Sequence, residues 1–214
     1  MATAEDFEEF FAARAAFVSQ RSAIHYCYAR AGVNWDKLLR EEAFAAAMEI
    51  CRWEAYAATA SGLGLLYEGM LREAASGREL ILAESLVARL RAVLDRHAPP
   101  AHDPEAWDRE AADFRRRIGL AQQAAPLPAH ALGGPVGQRI FAVLPIHRRL
   151  RAHDELMVEN SVRFAFVNQY DEATACFDTV ALAHVLAGSR AGGHGVQGRR
   201  QALAAGLPGG AAIG

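Results

Sequence analysis

The chain has 214 residues, with 52% hydrophobic and 22% charged residues, a balance that excludes the disordered and fibrous classes and allows one substantial core. Its formal net charge of −2 argues against a general electrostatic footprint for nucleic acid or anionic lipid, so no nucleic-acid partner is expected. Alanine makes up about a fifth of the chain and has the best helix propensity, while clusters of Val, Ile and Thr are almost absent. The expectation is an all-α protein, an antiparallel bundle of five or six helices.

The first helix begins near Thr3 or Ala4, where Glu5, Asp6, Glu8 and Glu9 favour its positive N-terminal end, and stops at Gly32, a suitable C-cap residue. Its apolar stripe reads Phe7, Phe10, Phe11, Phe17, Val18, Ile24 and Tyr28. A second helix starts after Asn34 and carries a seam of alternating four- and three-residue steps through Trp35, Leu39, Glu42, Ala46, Glu49, Trp53, Tyr56, Ala60, Leu63, Tyr67 and Met70. That register predicts one long helix packed along its length, open to kinks at Gly62, Gly64 and Gly69. Phe44, Met48 and Cys51 on its other face suggest burial on two sides. A third helix spans about Arg78 to His97 with a leucine stripe and ends at Pro99-Pro100.

Asp103-Pro104 opens a fourth helix to about Gln123. It is strongly charged apart from Trp107, Phe114 and Ile118, and so belongs at the surface. Residues Ala124 to Val136, rich in Pro, Gly and Ala, read as a linker between helices. From about Gln138 to Ala187 a long helical pattern follows, interrupted at Pro145, with Leu156, Val162, Phe166, Val167, Tyr170, Phe177 and Val180 on one face. Residues 1–187 are expected to form a single domain and 188–214 a flexible, disordered tail.

Charged residues fall inside these apolar stripes. Arg14, Arg21 and His25 stand among the phenylalanines of the first helix, Glu42 and Glu49 occupy the seam of the second, and Asn160 and Arg163 lie on or beside the face of the last. Together they predict a polar layer in the core, since ionised groups are rarely buried without partners. The plain reading is a salt-bridge network that sets helix register. The sharper one is a pocket for an acidic small molecule, held by Arg21, His25, Asn160 and Arg163 and oriented by Glu42 and Glu49.

Other chemistry is not indicated. Glu42 and Glu49 share a face, but a di-iron bundle needs Glu-x-x-His, and Arg52 stands where the histidine belongs. No metal or cofactor is expected. His97, His102 and His130 lie in or next to loops without zinc spacing, and the Gly-Gly pairs lack a phosphate-loop ending. Cys27, Cys51 and Cys176 form no C-x-x-C pair and read as reduced structural thiols. The N-terminus has no signal-peptide pattern, and the longest uncharged stretch, Ile118 to Gln138, is broken by Pro and Gly, so no transmembrane segment and a cytoplasmic location are expected. Two functions remain: a non-enzymatic module that acts through helix–helix contacts with itself or a protein partner, and a small-molecule protein or enzyme that uses the polar layer.

Overall fold

The structure, a computed structural model, describes residues 3–188. The expected tail therefore lies outside the described residues, apart from Gly188, the last residue of its final helix. The described residues are all-helical, with eight α-helices: α1 (Ala4–Ala31), α2 (Trp35–Leu39), α3 (Glu42–Ala75), α4 (Glu79–Leu94), α5 (Ala106–Ala121), α6 (Ala129–Val143), α7 (Glu155–Cys176) and α8 (Thr179–Gly188). These eight exceed the five or six expected because short breaks divide two segments that read as continuous. Among the described residues no helix is long and apolar enough to cross a membrane.

α1 starts in a capping box. Thr3 Oγ1 accepts from the Asp6 N–H while Asp6 accepts from the Thr3 N–H, satisfying two otherwise orphaned donors. It stops at Gly32, whose φ of +53° suits glycine. The segment after Asn34 is not one helix: α2 ends at Leu39, Arg40 and Glu41 turn the chain, and α3 begins at Glu42. From there α3 runs unbroken through all three of its glycines. Gly62 and Gly64 allow large side chains to close on its backbone. A Cβ on Gly62 would meet Val136 at 2.5 Å and Phe166 at 2.8 Å, and one on Gly64 would meet Phe114 at 2.7 Å.

α3 is the axis of the molecule. Between Ala55 and Glu68 every residue is buried, because α1, α4, α5, α6, α7 and α8 all pack against it. The two-sided burial expected of this helix is thus met within one chain. α1 runs antiparallel to α3, with Phe7 and Phe11 edge-on to Tyr67 at 5.3 and 5.2 Å. α4 returns antiparallel along α3, where Tyr56 donates to the Val93 carbonyl at 3.0 Å.

The expected linker is largely helix. α6 begins at Ala129 and contains Gly133, Gly134, Pro135 and Gly137. Pro135 is tolerated in its second turn, and the glycines face α7. A Cβ on Gly133 would lie 2.8 Å from the Arg163 Cα, and one on Gly137 2.7 Å from the Glu159 Cα. Small residues let two backbones approach where any larger side chain would hold them apart. A composition typical of a loop is here the signature of a close helix–helix contact.

Candidate functional site

The six predicted site residues do not converge. Arg21, His25, Glu42, Glu49 and Asn160 are exposed, and Arg163 alone is half-buried. Arg21 lies over the Phe17 ring. Glu49 accepts from the Trp53 indole N–H and lies 3.6 Å from Arg52. Arg163 pairs with Glu159 one turn before it and donates to the His130 carbonyl at 3.3 Å.

Buried charge exists with a different cast. Glu68, Glu110 and Glu159 are 1%, 5% and 7% exposed, and each meets an arginine: Arg72, Arg139 and Arg163. Arg72 also donates to the Ala121 and Ala124 carbonyls at the end of α5, satisfying acceptors that a helix terminus leaves open. Arg163 holds the Glu159 carboxyl below its usual range, and Gln138 assists. Buried Asp154, which accepts from Tyr26 at 2.6 Å and pairs with Arg30, is held low by the same two partners.

Both members of the pair Glu110–Arg139 line an open cleft of about 660 Å³ between α3, α5 and α6. α5 presents Trp107, Glu110, Phe114 and Ile118 on its inner face at helical spacing. Glu110 accepts from the buried Ser61 hydroxyl of α3 and from Arg139 of α6, at 2.7 Å for the arginine. Arg139 reaches on to Glu54 of α3 at 3.1 Å. Burial lowers the guanidinium's affinity for its proton, yet Glu110 and Glu54 outweigh this and leave it raised. One arginine thus bridges two carboxylates from two helices.

Trp53 and Trp107 supply the aromatic part of the wall, backed by Tyr56 and His97. Trp53, Tyr56, His97 and Trp107 pack mostly edge to face with centroids 5.2–6.3 Å apart, and the Trp107 indole donates to the His97 carbonyl at 3.0 Å. Arg52 lies over Trp53 at 4.6 Å. His97 titrates below its ordinary value, chiefly through burial, with Arg52 and Arg96 adding to it. Arg109 and Arg116 stand at the cleft mouth, engaged by Asp103 and Asp113. No group of three His, Cys, Asp or Glu able to hold a metal ion occurs among the described residues. Hydroxyl, carboxylates and guanidinium are thus mutually paired.

The rule that singled out the exposed glutamates would have found Glu110. It lies three residues after Trp107 and four before Phe114, inside the stripe of a helix expected at the surface. Arg139 was hidden by the linker reading, since it follows Val136 by three residues on a helix whose first half carried no helical signal. Set against known proteins, the chain matches no protein family, no curated protein and no solved structure.

Proposed function

We propose that this is a small-molecule-binding helical protein whose site is the cleft between α3, α5 and α6. The observation that carries the reading is Arg139, half-exposed at the cleft and held by buried Glu110 and by Glu54. A guanidinium fixed by carboxylates behind it is pre-organised to meet an anion with its remaining donors. Trp53 beside it offers an apolar surface. The ligand class is a planar organic anion, in line with the acidic ligand expected of a polar layer.

Anilinonaphthalene sulfonate is a suitable probe, because it pairs an aromatic body with an anionic group and accepts energy from tryptophan. Titration is expected to quench indole emission and saturate at one dye per chain. Arg139→Met and Trp53→Ala are each expected to weaken binding by at least about tenfold, the loss of one charge-assisted contact of ~1.5–3 kcal/mol. Binding that never saturates, or is indifferent to both substitutions, would sink the proposal.

A second reading, assembly with itself or a protein partner, has its own observation. Leu156, Met157 and Phe164 are 69%, 52% and 71% exposed and share one arc of α7 with Asn160. Light scattering over a concentration series tests it: a mass that rises with concentration and drops in Phe164→Glu supports assembly, and a strict monomer opposes it. Both readings include a cytoplasmic location, which fits three unbridged cysteines.

A further inference from the structure

A second, smaller cavity shares a residue with the cleft. It holds about 120 Å³ between α1, α3 and His97 in the connection that follows α4, and Trp53 lines both spaces. Side-chain size creates it. α1 runs past α3 here with Ala16 and Ser19, which are too short to fill the space before the rings of Trp53, Tyr56 and His97, and Ile24 adds an apolar edge one turn beyond Gln20. Two of the rings are tethered: Tyr56 donates to the Val93 carbonyl at 3.0 Å, and the Trp53 indole N–H donates to Glu49 at 2.5 Å.

The cavity is open on one side. Ala16 and Gln20 are exposed, and Arg52 is 53% exposed where it lies over Trp53 at 4.6 Å. Glu49, 3.6 Å from Arg52 and bonded to the Trp53 indole, positions both without lining the space itself. The buried hydroxyls are engaged by the backbone, Ser19 donating to the Ala16 carbonyl at 3.0 Å as Tyr56 does to Val93. The interior is thus aromatic and apolar, and the side-chain donors of Arg52 and Gln20 stand at the exposed edge.

We propose that this cavity is a second binding site, which takes a single-ring aromatic carboxylate with the ring inside and the carboxylate at the edge against Arg52. Size selects the ring. An apolar cavity of about 150 Å³ holds benzene, so about 120 Å³ with an open side admits one six-membered ring and keeps a second ring outside. The edges and faces of Trp53, Tyr56 and His97 give that ring the tilted contacts aromatic groups favour. Charge selects the carboxylate. Among the described residues that line the cavity, Arg52 alone is charged at pH 7, because burial, with Arg52 and Arg96 adding to it, keeps His97 neutral there. The cleft differs, since Glu54, Glu110 and Asp113 stand among its arginines. A carboxylate at the exposed edge keeps part of its hydration while it pairs with the guanidinium, so no charge has to be buried. The site stands whether or not the cleft binds an anion.

Benzoate is the probe, with benzamide as its uncharged counterpart, and heteronuclear NMR of the nitrogen-15-labelled full chain is the readout. Benzoate is expected to move the Trp53 indole signal along a saturating curve and to leave that of Trp35 in place. Benzamide on the natural chain, and benzoate on Arg52→Met, are each expected to bind about fivefold more weakly, the upper range for a solvent-exposed charge pair. Ala16→Phe sets a ring in the cavity from an exposed position of α1, and is expected to abolish the benzoate response while the dye titration of the cleft stays unchanged. Where Ala16→Phe loses its helical spectrum, Gln20→Phe decides in its place. A shift that never saturates, or one that survives the filled cavity, overturns the site. A response that survives Ala16→Phe but falls in Arg139→Met puts benzoate in the cleft and overturns it too. Benzamide binding as tightly as benzoate overturns the choice of a carboxylate.

Discussion

Glu68 illustrates how a charge is kept inside this bundle. It is 1% exposed and lies 2.6 Å from Arg72, whose remaining donors hold the carbonyls at the end of α5. Removing one member of such a pair leaves the other desolvated, which costs about 3–5 kcal/mol, whereas replacing both with apolar groups is often neutral. Arg72→Met is therefore expected to lower stability by roughly 3 kcal/mol, and adding Glu68→Leu should recover most of it. Urea titration measures both, and a single variant that costs nothing would contradict the account. His97 has a pH signature of its own. Its folded-state pKa lies below the ordinary 6.5, so between those values the unfolded chain binds the proton that the folded chain refuses. Its stabilising contribution is complete above 6.5 and declines as pH falls through the folded-state pKa. Its ring is 5.2 Å from Trp53, so protonation should quench indole emission with a midpoint below 6.5. A flat emission profile from pH 7 to 5, or one unchanged by His97→Gln, would contradict the contact of His97 with Trp53.

At the scale of the element, the contact between α6 and α7 makes the sharpest demand. Gly133→Ala and Gly137→Ala would place a methyl 2.8 and 2.7 Å from the α7 backbone, where nothing flexible can give way. Each is expected to cost about 1–3 kcal/mol through the overpacking it forces. Gly119→Ala in α5 meets nothing within 4 Å and should instead stabilise by about 0.5–1 kcal/mol through helix propensity. Thermal melts of the three variants test the contrast, and a destabilised Gly119→Ala would undo it. The same element shows why part of the architecture was legible in the sequence and part was not. Capping by Thr3 and the stop at Gly32 depend on neighbouring residues, so they could be read directly. Stripe phase depends on which residues pack closest, and here these are small. Beyond Phe11 the buried face of α1 is Ala12, Ala15, Val18, Ser19, Ser22, Ala23 and Cys27, while Phe17 and Tyr28 are 47% and 58% exposed. A stripe drawn through the large side chains is thus rotated from the one that packs. The rotation carried Arg21 and His25 into an imagined core and, with the break at Arg40–Glu41, did the same for Glu42 and Glu49.

For the whole molecule, the placement of α3 has a consequence for cooperativity. Six other helices lean on its buried stretch from Ala55 to Glu68, and the core runs without interruption from Ala4 to Ala187. An element removed from α3 keeps little apolar contact of its own, so the described helices are expected to unfold together. The exception to consider is the α6–α7 hairpin, whose backbones approach closely at Gly133 and Gly137 and which the Gln138–Glu159 bond at 3.3 Å joins. Tryptophan reports separately from helix content, because Trp53 and Trp107 meet where α3 faces α5, 5.8 Å apart, and neither lies on α6 or α7. In a Trp35→Phe variant, indole emission therefore follows the α3–α5 contact alone, while far-ultraviolet circular dichroism follows every helix. Coincident urea midpoints, with a common slope of roughly 2–3 kcal/mol per molar, are expected if α3 binds the bundle into one unit. A later, second loss of ellipticity would mean that close glycine packing makes α6 and α7 a folding unit that outlasts the rest, with Arg139 on its inner edge as the group that ties it to the cleft.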